Sequence, residues 1–132
     1  MSEHPILIID DEKDICHLLS IALRKKKFTV YSANSIKDGL VLIDSFYPEY
    51  LFLDVNLPDG CGLSLISPIR IKYPKTGIIV ISAYVNQKDK IIALQNGADI
   101  YVNKPFDNST IYESINHISS KYGGTSINES SN

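Results

Sequence analysis

Five polar residues stand directly after short apolar runs, and their types define one chemistry. Asp10 and Asp11 follow Ile6-Leu7-Ile8-Ile9, Asp54 follows Tyr50-Leu51-Phe52-Leu53, Ser82 follows the run from Gly77 to Ile81, and Lys104 follows Ile100-Tyr101-Val102-Asn103. If the runs are neighbouring strands, three carboxylates, a hydroxyl and an ammonium share one rim. Carboxylates within a few ångströms repel by up to about 4 kcal/mol per pair at an effective dielectric of about 20, so they must gain protons or recruit a cation. A hard dication meets that need, and magnesium suits a site of a few carboxylates, a carbonyl and waters that also bridges to phosphate. Lys104 adds a mobile point charge suited to a phosphoryl oxygen. With the charge masked, one carboxylate can attack phosphorus in line and form an acyl phosphate. Asp54 is the candidate nucleophile. It is central and opens a loop whose glycines allow close backbone approach, whereas Asp10 and Asp11 share a strand end and can hold metal together.

The elements that must position these groups are readable as five strand-plus-helix units, because apolar runs of strand length alternate with segments of helical period. Ile15, Leu18, Leu19, Ala22 and Leu23 share one face of a first helix. A second strand from Phe28 to Ala33 leads through Asn34-Ser35, candidate caps, into a helix carrying Ile36, Leu40 and Ile43. The segment from Asn56 to Gly62 reads as a loop, and a third helix from about Leu63 contains Pro68, which predicts an irregularity. A short fourth helix runs from Gln87 to Asn96 with Gly97 as its stop, and Asn108 or Ser109 caps a fifth bearing Ile111, Ile115 and Ile118. Strands this apolar are buried on both faces, so the expected fold is α/β, a flavodoxin-like, doubly wound (βα)5 with a parallel sheet of order 2-1-3-4-5. Ligands in such sheets sit beyond the carboxyl ends of the strands, here between strands one and three.

Size and composition bound the remaining classes. The 132 residues suffice for one domain, expected over 5–122, with 123–132 as a flexible polar tail or the start of a linker. Apolar residues at 44% and charged residues at 21% argue against disorder, and a net charge of −2 lacks the basic excess of a nucleic-acid-binding surface. The run Arg24-Lys25-Lys26-Lys27 falls at a helix end, where cations complement the dipole. Cys16 and Cys61 lack the spacing of a zinc site or disulfide framework, and no apolar stretch is long enough to span a bilayer. These features give a reducing, cytoplasmic location as the expectation, with no direct nucleic-acid or membrane partner.

Taken together, Asp10-Asp11, Asp54 followed by Pro58 and Gly62, Ser82-Ala83, Gly97-Ala98-Asp99, Tyr101 and Lys104-Pro105-Phe106 make the sequence resemble the response-regulator receiver family, the CheY-like fold, over roughly Pro5 to Tyr122. That resemblance implies a phosphoprotein of a two-component regulatory system. In it Asp54 accepts phosphate from a sensor histidine kinase or phosphotransfer protein, and Asp11 chiefly, Asp54 and the Asn56 backbone carbonyl bind magnesium, or manganese as its substitute, with Asp10 assisting. It further implies that Ser82 and Lys104 contact the phosphoryl group and that Tyr101 turns inward, remodelling the face of helix four, strand five and helix five. The family passes its signal to a downstream target or to a fused output domain absent from this chain, in some members through a homodimer on that face. Such a domain is a phosphoacceptor rather than an enzyme, with at most self-phosphorylation from small donors and slow autodephosphorylation.

Leu57 stands where methionine is common in the family, Tyr84 lies two positions beyond Ser82, and none of the departures removes a required group. A haloacid-dehalogenase-type phosphotransferase needs a second aspartate two positions after the first, where this chain has Asn56, and a flavin-binding module needs a Ser/Thr/Gly-rich phosphate loop where this chain has acids. The remaining alternative is a degenerate receiver, a protein-interaction module that works without phosphorylation.

Overall fold

The computed structural model describes residues 4–84 and 86–127. In chain order the elements are β1 (Pro5–Ile9), α1 (Lys13–Arg24), β2 (Thr29–Ala33), α2 (Ile36–Phe46), β3 (Tyr50–Asp54), α3 (Leu63–Lys72), β4 (Gly77–Ser82), α4 (Gln87–Gln95), β5 (Ile100–Asn103) and α5 (Asn108–Tyr122). The five strands form one parallel sheet in the order β2-β1-β3-β4-β5, the doubly wound arrangement the apolar runs predict. Ile9 pairs with Ala33 on one side and Leu53 on the other, Asp54 pairs with Ile81, and Ser82 with Asn103. In this register the polar residues at the ends of β1, β3, β4 and β5 reach one rim together.

Alternate residues of each strand feed two cores. Ile6, Ile8, Phe52, Ile79 and Ile81 pack with Leu19 and Leu23 of α1 and with Ile111, Ile115 and Ile118 of α5. Leu7, Ile9, Leu51, Leu53, Ile78 and Val80 pack on the other face with Ile43, Ile66, Ile69 and Ala93 of α2, α3 and α4. All residues of β3 and β4 are buried, which is why neither shows the alternation of a half-exposed strand.

Four local features differ from the sequence-based expectation. Residues Asn56–Leu57 and Gly60–Cys61 form a two-residue antiparallel hairpin, too short to leave any periodic signal. Helix α3 runs without interruption through Pro68. Leu65, Ile66 and Ile69 are buried and hold it in place, while Ser64, whose carbonyl loses its amide partner, is exposed to water. The cap of α5 is Asp107, whose side chain accepts from the Thr110 amide, one residue ahead of Asn108. At α2 the cap is Ser35, and Asn34 is used elsewhere, as described below.

The segment after α5 is the fourth difference. Gly123 ends the helix with φ of 74°, a left-handed conformation that glycine adopts freely. The chain then folds back instead of leaving as a flexible tail. The Tyr50 hydroxyl donates to the Thr125 carbonyl at 2.7 Å, the Thr125 amide donates to Glu49 at 3.0 Å, and Asn116 bonds both the amide and the carbonyl of Ile127. Ile127 is buried in the α1/α5 core, so the polar composition of this stretch conceals one apolar anchor. Residues 128–132 lie outside the described residues.

The sheet is tied at the end opposite the acidic rim by Asp99. Its nearly buried carboxylate accepts from Arg70 at 2.8 Å, from the Ile78 amide at 2.9 Å, from Tyr122 at 2.8 Å and from Lys121 at 3.1 Å. Arg70 also donates to the carbonyls of Pro74, Thr76 and Gly97, so one ion pair joins α3, β4, the turn before β5 and α5. Removing one member of such a pair leaves the other desolvated. Asp99→Ala is expected to lower unfolding free energy in urea by about 3 kcal/mol, and Lys121→Ala, which trims only an exposed partner, by under about 1 kcal/mol. Equal losses for the two variants would show that burial of the Arg70 pair does not matter.

Candidate functional site

The acidic rim is built outward from the Asp10 backbone. Its amide donates to the Ala33 carbonyl at 3.0 Å, and its carbonyl accepts from the Asn34 side chain at 2.8 Å and from the Cys16 thiol at 3.4 Å. Burial, followed by the field of Asp10, pushes the Cys16 thiol up to about 11, so it stays protonated and donates. Held this way, the Asp10 side chain is wholly buried. One oxygen accepts from the Glu12 amide at 2.8 Å and the other lies 2.9 Å from Lys104 Nζ.

Lys104 is fixed from β5 and β4: its amide donates to the Ser82 carbonyl at 2.7 Å, and its peptide bond to Pro105 is cis. Its ammonium is 2.7 Å from Glu12 Oε1, 2.9 Å from Asp10 Oδ2 and 3.6 Å from Asp54 Oδ2. Burial disfavours the charge on Lys104, yet hydrogen bonds to Glu12 and Asp10 and the fields of Asp10 and Asp54 outweigh it and hold the ammonium above the usual lysine range. Asp54 shows the opposite imbalance. Burial first and Asp10 second raise its carboxyl to about 7, against the lowering effects of Lys104 and the Asn56 amide.

Oxygens of Asp10, Glu12 and Asp54 all lie within 4.8 Å of one another, a concentration of carboxylate charge that favours a hard divalent cation at this rim. Such an ion would relieve the repulsion from Asp10 that adds to burial in raising Asp54. The surrounding cavity, of about 310 Å³, is lined by Asp11, Glu12, Asp54, Asn56, Ala83, Tyr84 and Lys104. Asp11 and Asn56 are exposed on its wall. Ser82 is buried at the same rim, with its hydroxyl bonded to the backbone amide and carbonyl of Tyr84. Tyr101 stands away from the acids, beside Asn86, Gln87, Lys90 and Asn103 in a second small cavity, and its buried hydroxyl has no hydrogen-bond partner among the described residues.

The hairpin after Asp54 is latched from two directions. The Asp59 carboxylate accepts from the amides of Ile36 and Lys37 at 2.8 and 3.0 Å, closing the start of α2, and those bonds hold it below the usual carboxylate range. The Gly62 amide donates to the Val55 carbonyl at 2.6 Å, and a side chain at Gly62 would collide with the Asp54 carbonyl oxygen. The sequence reading missed Glu12, Asn34 and Asp59. Only Glu12 carried a signal, as the third acid in the Asp10-Asp11-Glu12 run.

The fold and this rim define a class of protein, and comparison with known proteins specifies it. The sequence matches the response regulator receiver domain over residues 6–116, and the chain belongs to that family. It is 36% identical over 115 residues to the response regulator protein PilR of Pseudomonas aeruginosa, covering 87% of this chain and 26% of PilR. It is 38% identical over 101 residues to the KDP operon transcriptional regulatory protein KdpE of Escherichia coli, covering 76% of this chain and 44% of KdpE. The chain thus spans about a quarter of one relative and under half of the other. A response regulator protein from Burkholderia pseudomallei, solved with a phosphorylated aspartic acid, a calcium ion and citrate, superposes with a TM-score of 0.82 at 27% identity, covering 90% of this chain and 70% of that one.

Because the folded Asp54 carboxyl titrates above its ordinary 3.8, the native state binds more protons than the unfolded state between 3.8 and about 7. Asp54 therefore subtracts stability as pH rises through that window. In protein freed of metal with a chelator, Asp54→Asn is expected to raise unfolding free energy by on the order of 2 kcal/mol at pH 8 and by little at pH 4.5. A gain of the same size at both pH values would refute the raised Asp54 carboxyl.

Proposed function

We propose that this chain is a phosphoacceptor domain in which Asp54 takes a phosphoryl group from a histidine of a partner kinase or phosphotransfer protein. The observation that carries this reading is the Lys104 ammonium lying between Asp10 and Asp54 at the carboxyl ends of the strands. An Asp54 oxygen forms the new bond to phosphorus as the nitrogen–phosphorus bond of the donor histidine breaks, and the product is an acyl phosphate. Lys104 neutralises a phosphoryl oxygen without a proton changing hands. Magnesium, or manganese in its stead, would be held by Asp10, Asp11, Asp54 and the Asn56 backbone carbonyl, and would supply neutralising charge for the transferring group. The Burkholderia protein with a phosphorylated aspartic acid and a calcium ion supports both the modification and the divalent ion.

The Ser82 hydroxyl, now spent on the Tyr84 backbone, has a stronger acceptor available once a phosphoryl oxygen occupies the cavity. Its movement frees space for Tyr101, whose unpartnered hydroxyl favours repacking. The altered face of α4, β5 and α5 then meets a downstream target, a fused output domain or a second copy of the chain. This is a population shift between two packings of a cytoplasmic signalling domain, not turnover of a substrate.

Incubation with acetyl phosphate and magnesium is expected to add one phosphoryl group by intact mass, and hydroxylamine trapping is expected to localise it to Asp54. Asp54→Asn is expected to take up none, and Lys104→Ala to be labelled yet to lose the accompanying amide shifts in β5 and α4. No labelling of the unaltered chain would favour an interaction module independent of phosphorylation.

A further inference from the structure

Glu12 holds a position that phosphoryl capture must clear. Its carboxylate is the nearest anion to Lys104 Nζ, at 2.7 Å, ahead of Asp10 at 2.9 Å and Asp54 at 3.6 Å. The ammonium is therefore committed to Glu12 and Asp10, and the acceptor residue has the longest and weakest of the three contacts. The three acids differ in what they can do next. The side chains of Asp10 and Asp54 are 0% and 6% exposed, whereas that of Glu12 is 55% exposed. Only Glu12 can trade the ammonium for water at little cost, because a half-exposed carboxylate is rehydrated on turning outward while a buried one is not.

A phosphoryl group on Asp54 brings up to about two negative charges and three strong acceptor oxygens into the same cavity. It repels Glu12 and competes for the same ammonium. Resting on the phosphoacceptor reading above, we propose that Glu12 is an internal competitor: its carboxylate occupies Lys104 in the resting state and is displaced by the phosphoryl group, so that it weakens phosphoryl capture and biases the domain toward the resting packing. Glu12 is a positioning residue in this account, acting on the phosphoryl group through Lys104. Its location at the start of α1, with its own amide bonded to the Asp10 carboxylate at 2.8 Å, keeps the side chain within reach of Lys104 without a rearrangement of the helix.

The test is titration with beryllofluoride, a non-covalent phosphoryl mimic, at saturating magnesium, followed by amide NMR on the whole chain. The unaltered chain must respond and Asp54→Asn must not; failure of that control sinks the phosphoacceptor reading rather than this one. Glu12→Gln is expected to lower the half-saturating concentration about tenfold. Glu12→Asn, equally neutral and a better helix cap, is expected to do the same and guards against a folding defect in the first variant. Glu12→Asp keeps the charge but shortens the reach by one methylene, and it is expected to tighten the mimic as well. Unchanged affinity in both neutral variants overturns the competition, as does tightening in those two with affinity like the unaltered chain in Glu12→Asp, which would make Glu12 a source of general field only. Magnesium affinity measured by calorimetry without the mimic is expected to change by less than threefold in Glu12→Gln. A tenfold loss there, with mimic affinity unchanged at saturating magnesium, would make Glu12 a metal ligand and not a competitor.

Discussion

One ammonium faces three carboxylates at the end of a buried sheet, and the rest of the molecule is arranged around that imbalance. Lys104 lies within 4 Å of Asp10, Glu12 and Asp54, so its single charge cannot neutralise the group. Asp10 has no access to water, and burial together with the field of Asp10 raises the Asp54 carboxyl to about 7. A site in this condition is poised to accept positive charge and then an anion that the positive charge can hold.

Holding such a rim together needs a rigid frame, and the frame is concentrated elsewhere. Every residue of β3 and β4 is buried, so the strands that carry Asp54 and Ser82 are fixed on both faces. At the far end of the sheet, Asp99 and Arg70 tie α3, β4 and α5, and the segment through Ile127 closes over Tyr50. The two ends differ in kind. Partners of Asp99 satisfy its carboxylate with backbone and side-chain donors, whereas three acids near Lys104 share that single cation.

The architecture was legible because its signal is local and strong. Five buried strands write themselves as uninterrupted apolar runs, helices as a period of 3.6, and the rules for doubly wound sheets limit the order of strands to very few. The misreadings have equally local causes. A two-residue hairpin has no period. Pro68 costs α3 one backbone bond, but Ser64 is exposed and buried Leu65, Ile66 and Ile69 hold the helix through it. The segment after Gly123 has a linker's composition, and a single Ile127 with Asn116 and Tyr50 as partners was enough to dock it.

By itself the sequence determined that Asp10, Asp54 and Lys104 would meet, since each ends a strand and parallel strands in one sheet share a carboxyl rim. Residue type then gave a cation and a phosphoryl group as the expected chemistry. Only the tertiary structure decided which neighbouring acid reaches the ammonium. Asp11 and Glu12 are adjacent in the chain and alike in charge, yet Glu12 closes on Lys104 while Asp11 stands on the cavity wall. That choice is made by the turn from β1 into α1 and by the bond of the Glu12 amide to Asp10, which set side-chain directions that no spacing along the chain encodes.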